Sequence, residues 1–514
     1  MARLTVVIGF MGAGKTTLAR ELAQARGVRH LDTDALLVER LGASIPEVFA
    51  RDGEAAFRAA EEETVLAVLD GVPGEDAVIS LGGGSVLAPR VQEALRAHTT
   101  VMLDVPLETA WARAAGPDRP LARDRDGFAA LFAERQALYL ALADAHLPQV
   151  DPGVIVRADG ALRALAQAPA GTRMAWASAA SGEYPVFVGR GVLALAGALP
   201  GLEGRAFGVT DSAVAEHHLA PLTAALSGLV EIPPGEEEKT LATAERVWHA
   251  LVAQGVTRAD HLIALGGGVV GDLAGFCAAT FQRGIPIVQA PTTIVSQVDS
   301  AYGGKTGVDL PQAKNYVGAY HQPSAVLADT TTLATLPPEE HAAGYAEVVK
   351  TALIAGGPLW EHVAAGGPVD DATILACART KLAVVAADER DGGRRQVLNL
   401  GHTVGHALET SLGYGTLRHG EAVGLGLLAA LRLSGLSDLR GQVEALLADA
   451  GLPTRLDAAS GADPDAVLAA TRLDKKRTTT ARTPFVLVRG PGDVVHGQDV
   501  ADDDVALAVR ELLA

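Results

Sequence analysis

The first 165 residues alternate short apolar runs with amphipathic stretches. "LTVVIG", "VISLGGG" and "TTVMLDV" read as buried strands, whereas "TTLARELAQARG" and "FAERQALYLALAD" space their apolar residues as helices do. That rhythm predicts a doubly wound parallel sheet. It breaks at "AQAPAGTRMAWASAASGEYP" (166–185), where Ala, Gly, Ser and Pro follow no clear period, and an interdomain linker is expected over 166–182. A second α/β run follows, with strands near "YPVFVGR", "AFGVTD", "HLIALGGG" and "IPIVQAPTT". After "TLPPEE" the pattern is mainly helical to about residue 472, and "TPFVLVRG" then returns a last strand. The expected domains are 1–165, 183–336 and 337–514, the last mainly α-helical. No repeat or coiled-coil heptad stands out.

Composition narrows the chemistry. A hydrophobic content of 48% with 4% aromatics describes cores of Leu, Val and Ala. The net charge of −18 argues against general nucleic-acid binding, so anionic substrates must be captured by local cationic pockets. The two cysteines, Cys277 and Cys377, fit neither a metal-ligand spacing nor a disulfide framework, and a reducing cytoplasm is expected. The apolar run in "MARLTVVIGF" is too short to span a membrane and lacks a cleavage pattern, so a soluble intracellular protein is expected. Only eight of the 43 basic residues are lysines: Lys15, Lys239, Lys305, Lys314, Lys350, Lys381, Lys475 and Lys476. In a chain that otherwise uses arginine, they mark places where a compact ammonium is needed.

"GFMGAGKTT" satisfies G-x-x-x-x-G-K-[ST] between a predicted strand and helix. In such a loop the backbone around Gly12, Ala13, Gly14 and Thr17 cradles phosphates, Lys15 neutralises them and Thr16 holds Mg²⁺. The loop alone leaves ATP and GTP open. Asp32 and Asp34 in "DTD", Arg58 and Glu61 in "FRAAEEE", Gly82 to Gly84 in "LGGGS" and Arg119 in "DRPLAR" follow. Taken singly, each admits a plain structural role, such as a helix cap or a surface ion pair.

Together these motifs resemble shikimate kinase across the first domain. The resemblance implies a P-loop kinase fold and ATP-dependent phosphorylation of the 3-hydroxyl of shikimate. It implies that Asp32 supports Mg²⁺ beside Thr16 and that Asp34 binds and activates the acceptor hydroxyl. Arg58 and Arg135 (in "ERQALY") would grip the carboxylate, and Gly82, Gly83 and Gly84 would approach the ring. Arg119 would reach the transferring phosphate from a lid, with Arg113 as a helper. "RPLA" departs from the family where a second Leu is usual, which touches lid packing more than chemistry. The alternative is a non-catalytic nucleotide-binding module.

The second half carries Gly266 to Gly268 after a strand, then Asp272, and "PTTIVSQVDSAYGGKTGVD" with Thr292, Thr293, Asp299 and Lys305. Lys314 and Asn315 follow in "KNYVGAY", Glu347 and Lys350 in "GYAEVVK", and His419 in "LRHGEAV". In "LNLGHTVGHALET", His402 and His406 stand one helical turn apart. Spacing alone assigns both histidines to Zn²⁺, with Glu347 or His419 completing the set.

This set resembles 3-dehydroquinate synthase from 183 to about 500, and the resemblance divides the pair. It implies that Glu347, His402 and His419 hold Zn²⁺ or Co²⁺, while His406 handles the substrate and its phosphate. It implies a Rossmann-like domain holding NAD through Asp211, Glu236, Lys239, Gly267, Gly268, Asp272, Thr292, Thr293 and Thr335. Asp299 and Lys305 would face its nicotinamide end and the reacting hydroxyls, and Lys314 would lie between the NAD site and the substrate pocket. Arg283, Asn315, Lys350, Lys381, Arg395, Asn399, His406 and one or both of Lys475 and Lys476 would line the substrate pocket. The implied substrate is 3-deoxy-D-arabino-heptulosonate 7-phosphate, converted to 3-dehydroquinate with phosphate release, and a homodimer through this portion is suggested. Another sugar-phosphate cyclase, or a metal-dependent alcohol dehydrogenase joined to a kinase, are the alternatives. The latter would release NADH, whereas the synthase returns its hydride.

Overall fold

The computed structural model describes residues 4–71, 76–114, 124–148, 153–311, 313–413, 415–456, 461, 463–472 and 484–513. The chain forms two compact units. The first comprises Met1–Ser178, Glu183–Phe187 and Ala198–Gly201, and the second Ala179–Gly182, Val188–Gly197 and Leu202–Ala514.

In the first unit β1 (Thr5–Ile8), β2 (Arg29–Asp32), β3 (Ala77–Ser80), β4 (Thr99–Asp104) and β5 (Ala145–Pro148) are parallel, in the order β2-β3-β1-β4-β5. β1 and β3 are buried along their whole length, as strands covered by helices on both faces must be. Chain order reverses about β1, and ligands in such sheets bind beyond the carboxyl ends of the strands at that point. The glycine loop after β1, Asp32 ending β2 and the triple glycine after β3 all lie on that edge.

The stretch expected as a linker differs from that reading. The helix Asp159–Gln167 runs into it, and Arg173–Ala179 forms β6, parallel to β5. Met174, Ala175, Trp176 and Ala177 are all buried, so "RMAWASA" shows no in–out alternation that would betray a strand. β7 (Gly182–Gly189) follows.

The second unit places β8 (Ala206–Asp211), β9 (Leu226–Ile232), β10 (His261–Gly266) and β11 (Ile287–Pro291) in a parallel sheet. A hairpin, β12 (Lys305–Leu310) and β13 (Ala313–Tyr320), precedes β14 (Ala325–Asp329), which joins the sheet to give the order β14-β11-β10-β8-β9. Here the reversal falls between β8 and β10. The helices Pro338–Ala355, Asp371–Ala387, His402–Leu412 and His419–Leu433 come next. Their axes approach closely because glycines stand at the crossings. A Cβ on Gly420 would lie 1.9 Å from the Ala343 carbonyl oxygen, and one on Gly426 would lie 1.9 Å from that of Gly401. A final hairpin, β15 (Phe485–Gly490) and β16 (Asp493–Gln498), and the helix Asp502–Leu512 complete the unit. Among the described residues no helix is long and apolar enough to cross a membrane.

Candidate active sites

In the first unit a cavity of about 720 Å³ is lined by Lys15, Thr16, Asp32, Asp34, Arg58 and Arg135, among others. Gly12 and Gly14 adopt left-handed φ of 81° and 83°, and a Cβ on Gly12 would lie 2.6 Å from the Ala110 carbonyl oxygen. Glycine is thus required at Gly12 for both conformation and space. Gly14 caps the helix Lys15–Arg26, whose N-terminal amides and macrodipole favour an anion there. The Lys15 ammonium donates to the Phe10 carbonyl at 3.2 Å. Asp32 Oδ1 accepts from the amides of Asp34 (3.0 Å) and Ala35 (3.1 Å), and Oδ2 accepts from Ser80 Oγ (3.0 Å). Burial opposes its charge, but these bonds and one from Thr16 hold the carboxyl below its ordinary range. A carboxylate beside a threonine hydroxyl suits a hard divalent cation.

Glycine at 82 and 84 is explained by what stands opposite. A Cβ on Gly82 would meet Asp34 Oδ1 at 2.4 Å, and one on Gly84 would meet the Arg58 guanidinium at 2.1 Å. Glu61 holds Arg58 at 2.6 Å and accepts from Ser85 Oγ at 2.9 Å. Tyr139 donates to the Gly83 carbonyl at 2.5 Å beside the buried Arg135, and burial pushes its hydroxyl up to about 12. Arg113 reaches the cavity wall and the Gly12 carbonyl, at 3.4 Å. Arg119 lies outside the described residues.

In the second unit the carboxyl edge of the sheet gathers Asp211 at the end of β8, Glu236 and Lys239 after β9, Gly267 and Gly268 after β10, and Thr292 and Thr293 after β11. Asp211 caps the helix Ser212–His218 through the Val214 amide, at 2.9 Å. The buried Lys239 pairs with Asp272 at 2.6 Å and donates to Asn315 Oδ1 at 2.5 Å. Burial opposes that ammonium, but Asp272 and Glu236 hold its pKa above the usual value. Gly267 leaves open a cradle that a Cβ would narrow to 3.0 Å from Thr293. Thr335 Oγ1 lies 2.6 Å from His218 Nε2. A glycine-floored crevice at the strand-order reversal, at the start of the helix Gly268–Thr280, fits a dinucleotide.

Beyond that edge lies a cluster of buried charges. Lys350 Nζ pairs with Asp299 Oδ2 at 2.9 Å and also with Glu347, one helical turn away. Lys381 pairs with the Asp299 carboxylate and donates to its carbonyl at 2.7 Å. Burial disfavours every one of these charges, yet the lysines hold Asp299 and Glu347 below the usual carboxylate range. Lys350, facing both carboxylates, is raised, while burial lowers Lys381.

Glu347 also faces the histidines. His419 Nε2 and His402 Nε2 lie 3.3 and 3.6 Å from its Oε1. One ligand atom from each of Glu347, His402 and His419 falls within 4.8 Å of the others. Both Glu347 oxygens are buried: Oε2 pairs with Lys350, while Oε1 faces the two imidazole nitrogens, a carboxylate oxygen placed to share a cation with them. His402 Nδ1 faces the Leu400 carbonyl at 3.2 Å, which directs the lone pair of Nε2 toward Glu347. The group of Glu347, His402 and His419 does not include His406, although its ring lies 5.2 Å from that of His402 and 6.0 Å from that of His419, centre to centre. Spacing alone pairs His402 with His406; the structure groups His402 with Glu347 and His419, and His406 with Glu409 and His419.

The other expected residues are placed unequally. Arg395 is fully buried and clamps the backbone, donating to the carbonyls of Glu389 (2.6 Å) and Gly303 (2.9 Å). Asn399 donates to the Gln396 carbonyl at 3.1 Å. Lys305 pairs with Asp391 at 2.6 Å at the exposed start of β12. Lys314 lies 3.7 Å from Glu236 and 3.5 Å from Glu409. Arg283 sits exposed at a left-handed φ of 71°, and among the described residues no hydrogen bond or ion pair joins it to the cluster. Lys475 and Lys476 lie outside the described residues. Sequence reasoning passed over Glu409 and Asp391. Glu409 had a signal, since it follows His402 and His406 by seven and three residues on one helix face.

Residues 11–153 match the family described as shikimate kinase. Residues 229–343 and 344–477 match those described as 3-dehydroquinate synthase N-terminal and C-terminal. The 3-dehydroquinate synthase of Rhodospirillum rubrum is 45% identical over 358 residues, covering 64% of this chain and 92% of that protein. Among solved structures, 2-deoxy-scyllo-inosose synthase complexed with carbaglucose-6-phosphate, NAD⁺ and Co²⁺ is 25% identical with a TM-score of 0.59, covering 66% of this chain and 100% of that one. The 2-epi-5-epi-valiolone synthase of Streptomyces hygroscopicus, with NAD⁺ and Zn²⁺ bound, is 28% identical with a TM-score of 0.57, covering 64% and 96%. The kinase domain implies ATP with Mg²⁺, and the two domains together indicate both enzyme activities of a bifunctional shikimate-pathway protein. The chain belongs to the 3-dehydroquinate synthase family through its second unit and carries a shikimate kinase domain ahead of it.

Proposed function

We propose that each unit works through the residues described above. In the kinase, the backbone of Gly12, Ala13, Gly14 and Thr17 with Lys15 holds the ATP phosphates, and Thr16 and Asp32 hold Mg²⁺. Asp34 orients the shikimate hydroxyl and takes its proton, while Arg58 and Arg135 hold the carboxylate. Phosphoryl transfer asks for positioning and charge neutralisation, which this cavity offers.

In the synthase, Glu347, His402 and His419 hold the metal, and the crevice above β8 and β10 holds NAD. When bound, the metal polarises a substrate oxygen and NAD⁺ accepts and returns a hydride. Lys350, Lys381 and Asp299 orient the substrate hydroxyls, and Lys305, Lys314, Asn315, Asn399 and His406 receive its anionic groups. Arg395 shapes that wall by pinning the turn at Gly303 to the loop at Glu389. The observation that carries this reading is the convergence of the buried Glu347 carboxylate with two imidazole nitrogens beside a buried ion network. Identity of 45% to a dehydroquinate synthase, against 25% and 28% to two other cyclases, supports 3-deoxy-D-arabino-heptulosonate 7-phosphate as substrate. A boundary near 336 within the second unit, a cytoplasmic location and a homodimer through the synthase portion belong to the same proposal.

The test is phosphate release from that substrate by the purified protein with NAD⁺, before and after chelation, with absorbance followed at about 340 nm, where reduced nicotinamide absorbs. Metal-dependent release without net NADH is expected. Steady NADH accumulation would instead identify a dehydrogenase, and no release a different substrate.

A further inference from the structure

Glu409 is a buried carboxylate, 4% exposed, that the roles above leave unused. Burying a carboxylate is costly unless its charge is matched, so its neighbours show what it is for. One oxygen, Oε1, lies 3.5 Å from Lys314 Nζ and 3.7 Å from His419 Nδ1. His419 is therefore held between two carboxylates, with Nε2 toward Glu347 and Nδ1 toward Glu409. An imidazole that offers one nitrogen to a cation carries its proton on the other. A fixed acceptor opposite that proton sets both the tautomer and the plane of the ring. His402 has such an acceptor in the Leu400 carbonyl. His419 also begins its helix, but the acceptor that faces its Nδ1 is a carboxylate on another helix, that of Glu409.

We propose that Glu409 is the positioning residue of the metal centre: it holds His419 with Nε2 facing Glu347, and through Lys314 it ties that ring to the hairpin strand β13. This rests on the reading of Glu347, His402 and His419 as metal ligands. The competing role for Glu409 is that of an ion ligand, since its oxygen, one His406 nitrogen and one His419 nitrogen also fall within 4.8 Å of one another.

The experiment titrates Co²⁺ into the chelator-stripped full chain without nucleotide. Affinity is read by competition with a chelator, and ligation by the visible bands of imidazole-bound Co²⁺. Glu409→Gln, which keeps the volume and removes the charge, is expected to weaken Co²⁺ binding about 10- to 100-fold and shift those bands. The number of ions bound and the melting temperature of the metal-free protein should stay unchanged. Glu409→Asp, which restores the charge, should recover some of the affinity and carries the same test if the Gln variant fails to fold. Wild-type affinity and spectrum in both variants would overturn the proposal. So would a second histidine-bound ion in the wild type that Glu409→Gln alone loses, because Glu409 would then be a ligand. Glu347→Gln separates the premise from the inference: undiminished Co²⁺ binding there would discard the triad itself.

Discussion

The two sites solve the problem of binding anions in opposite ways. The kinase cavity is made by omission. Gly12, Gly82 and Gly84 leave room where a single Cβ would touch backbone, Asp34 or Arg58, and the charged groups reach an open space of about 720 Å³. The synthase centre is made by cancellation. The buried Lys350, Lys381 and Glu347 and the half-buried Asp299 neutralise one another. A site of the first kind can lose a charge and keep its fold. In the second kind, every charge is both chemistry and structure.

The sharpest challenge to that contrast is a pair of lysine substitutions. Lys15→Met should lower shikimate kinase turnover about 10²- to 10³-fold while leaving synthase activity and chemical denaturation unchanged. Lys350→Met should abolish synthase activity and also cost about 3–5 kcal/mol, because Glu347 is left without its ammonium in a buried site. Equal stability of the two variants would break the comparison. Chelation followed by Mg²⁺ should come next in size: coupled assays should recover the kinase and not the synthase, since imidazole ligands select Zn²⁺ or Co²⁺ over Mg²⁺. Gly84→Ala should then lower kinase kcat/KM by on the order of 10-fold, mainly through the KM for shikimate, by pushing Arg58 aside without unfolding the unit.

The smallest effect concerns a buried carboxylate remote from either chemistry. Burial opposes the charge of Asp260, but hydrogen bonds from Arg205 and Thr257 hold its carboxyl well below the usual range. A depressed carboxylate stabilises the fold above its unfolded pKa of about 4 and loses that contribution as the pH falls further. Asp260→Asn should lower the melting temperature at neutral pH, and the gap to wild type should narrow below about pH 4.

Legibility followed the range of the interactions involved. The phosphate loop was readable because its strand, glycines, lysine and helix are contiguous. Asp32 was readable at its strand end for the same reason. β6 was not, because burial of four successive residues erased the alternation. The β12–β13 hairpin was also missed, its glycines at 307 and 318 being explained only by facing backbones across the pair. The histidine motif was half legible. Helical spacing placed His402 and His406 on one face, but the distance to Glu347 depends on three helices packing together, which no local pattern encodes. Lys314 beside Glu409 is likewise a meeting of residues 95 positions apart.

Where Gly420 abuts the Ala343 carbonyl, main chain rests almost on main chain, one residue after His419 and about one turn before Glu347. Close-packed backbones do not breathe as side chains do. If Glu347 and His419 hold the metal as proposed, the span between them is fixed by helix packing and acts as a caliper. Ions of nearly equal radius, such as Zn²⁺ and Co²⁺, can exchange within it, while a much larger ion would have to pry the helices away from each other to enter.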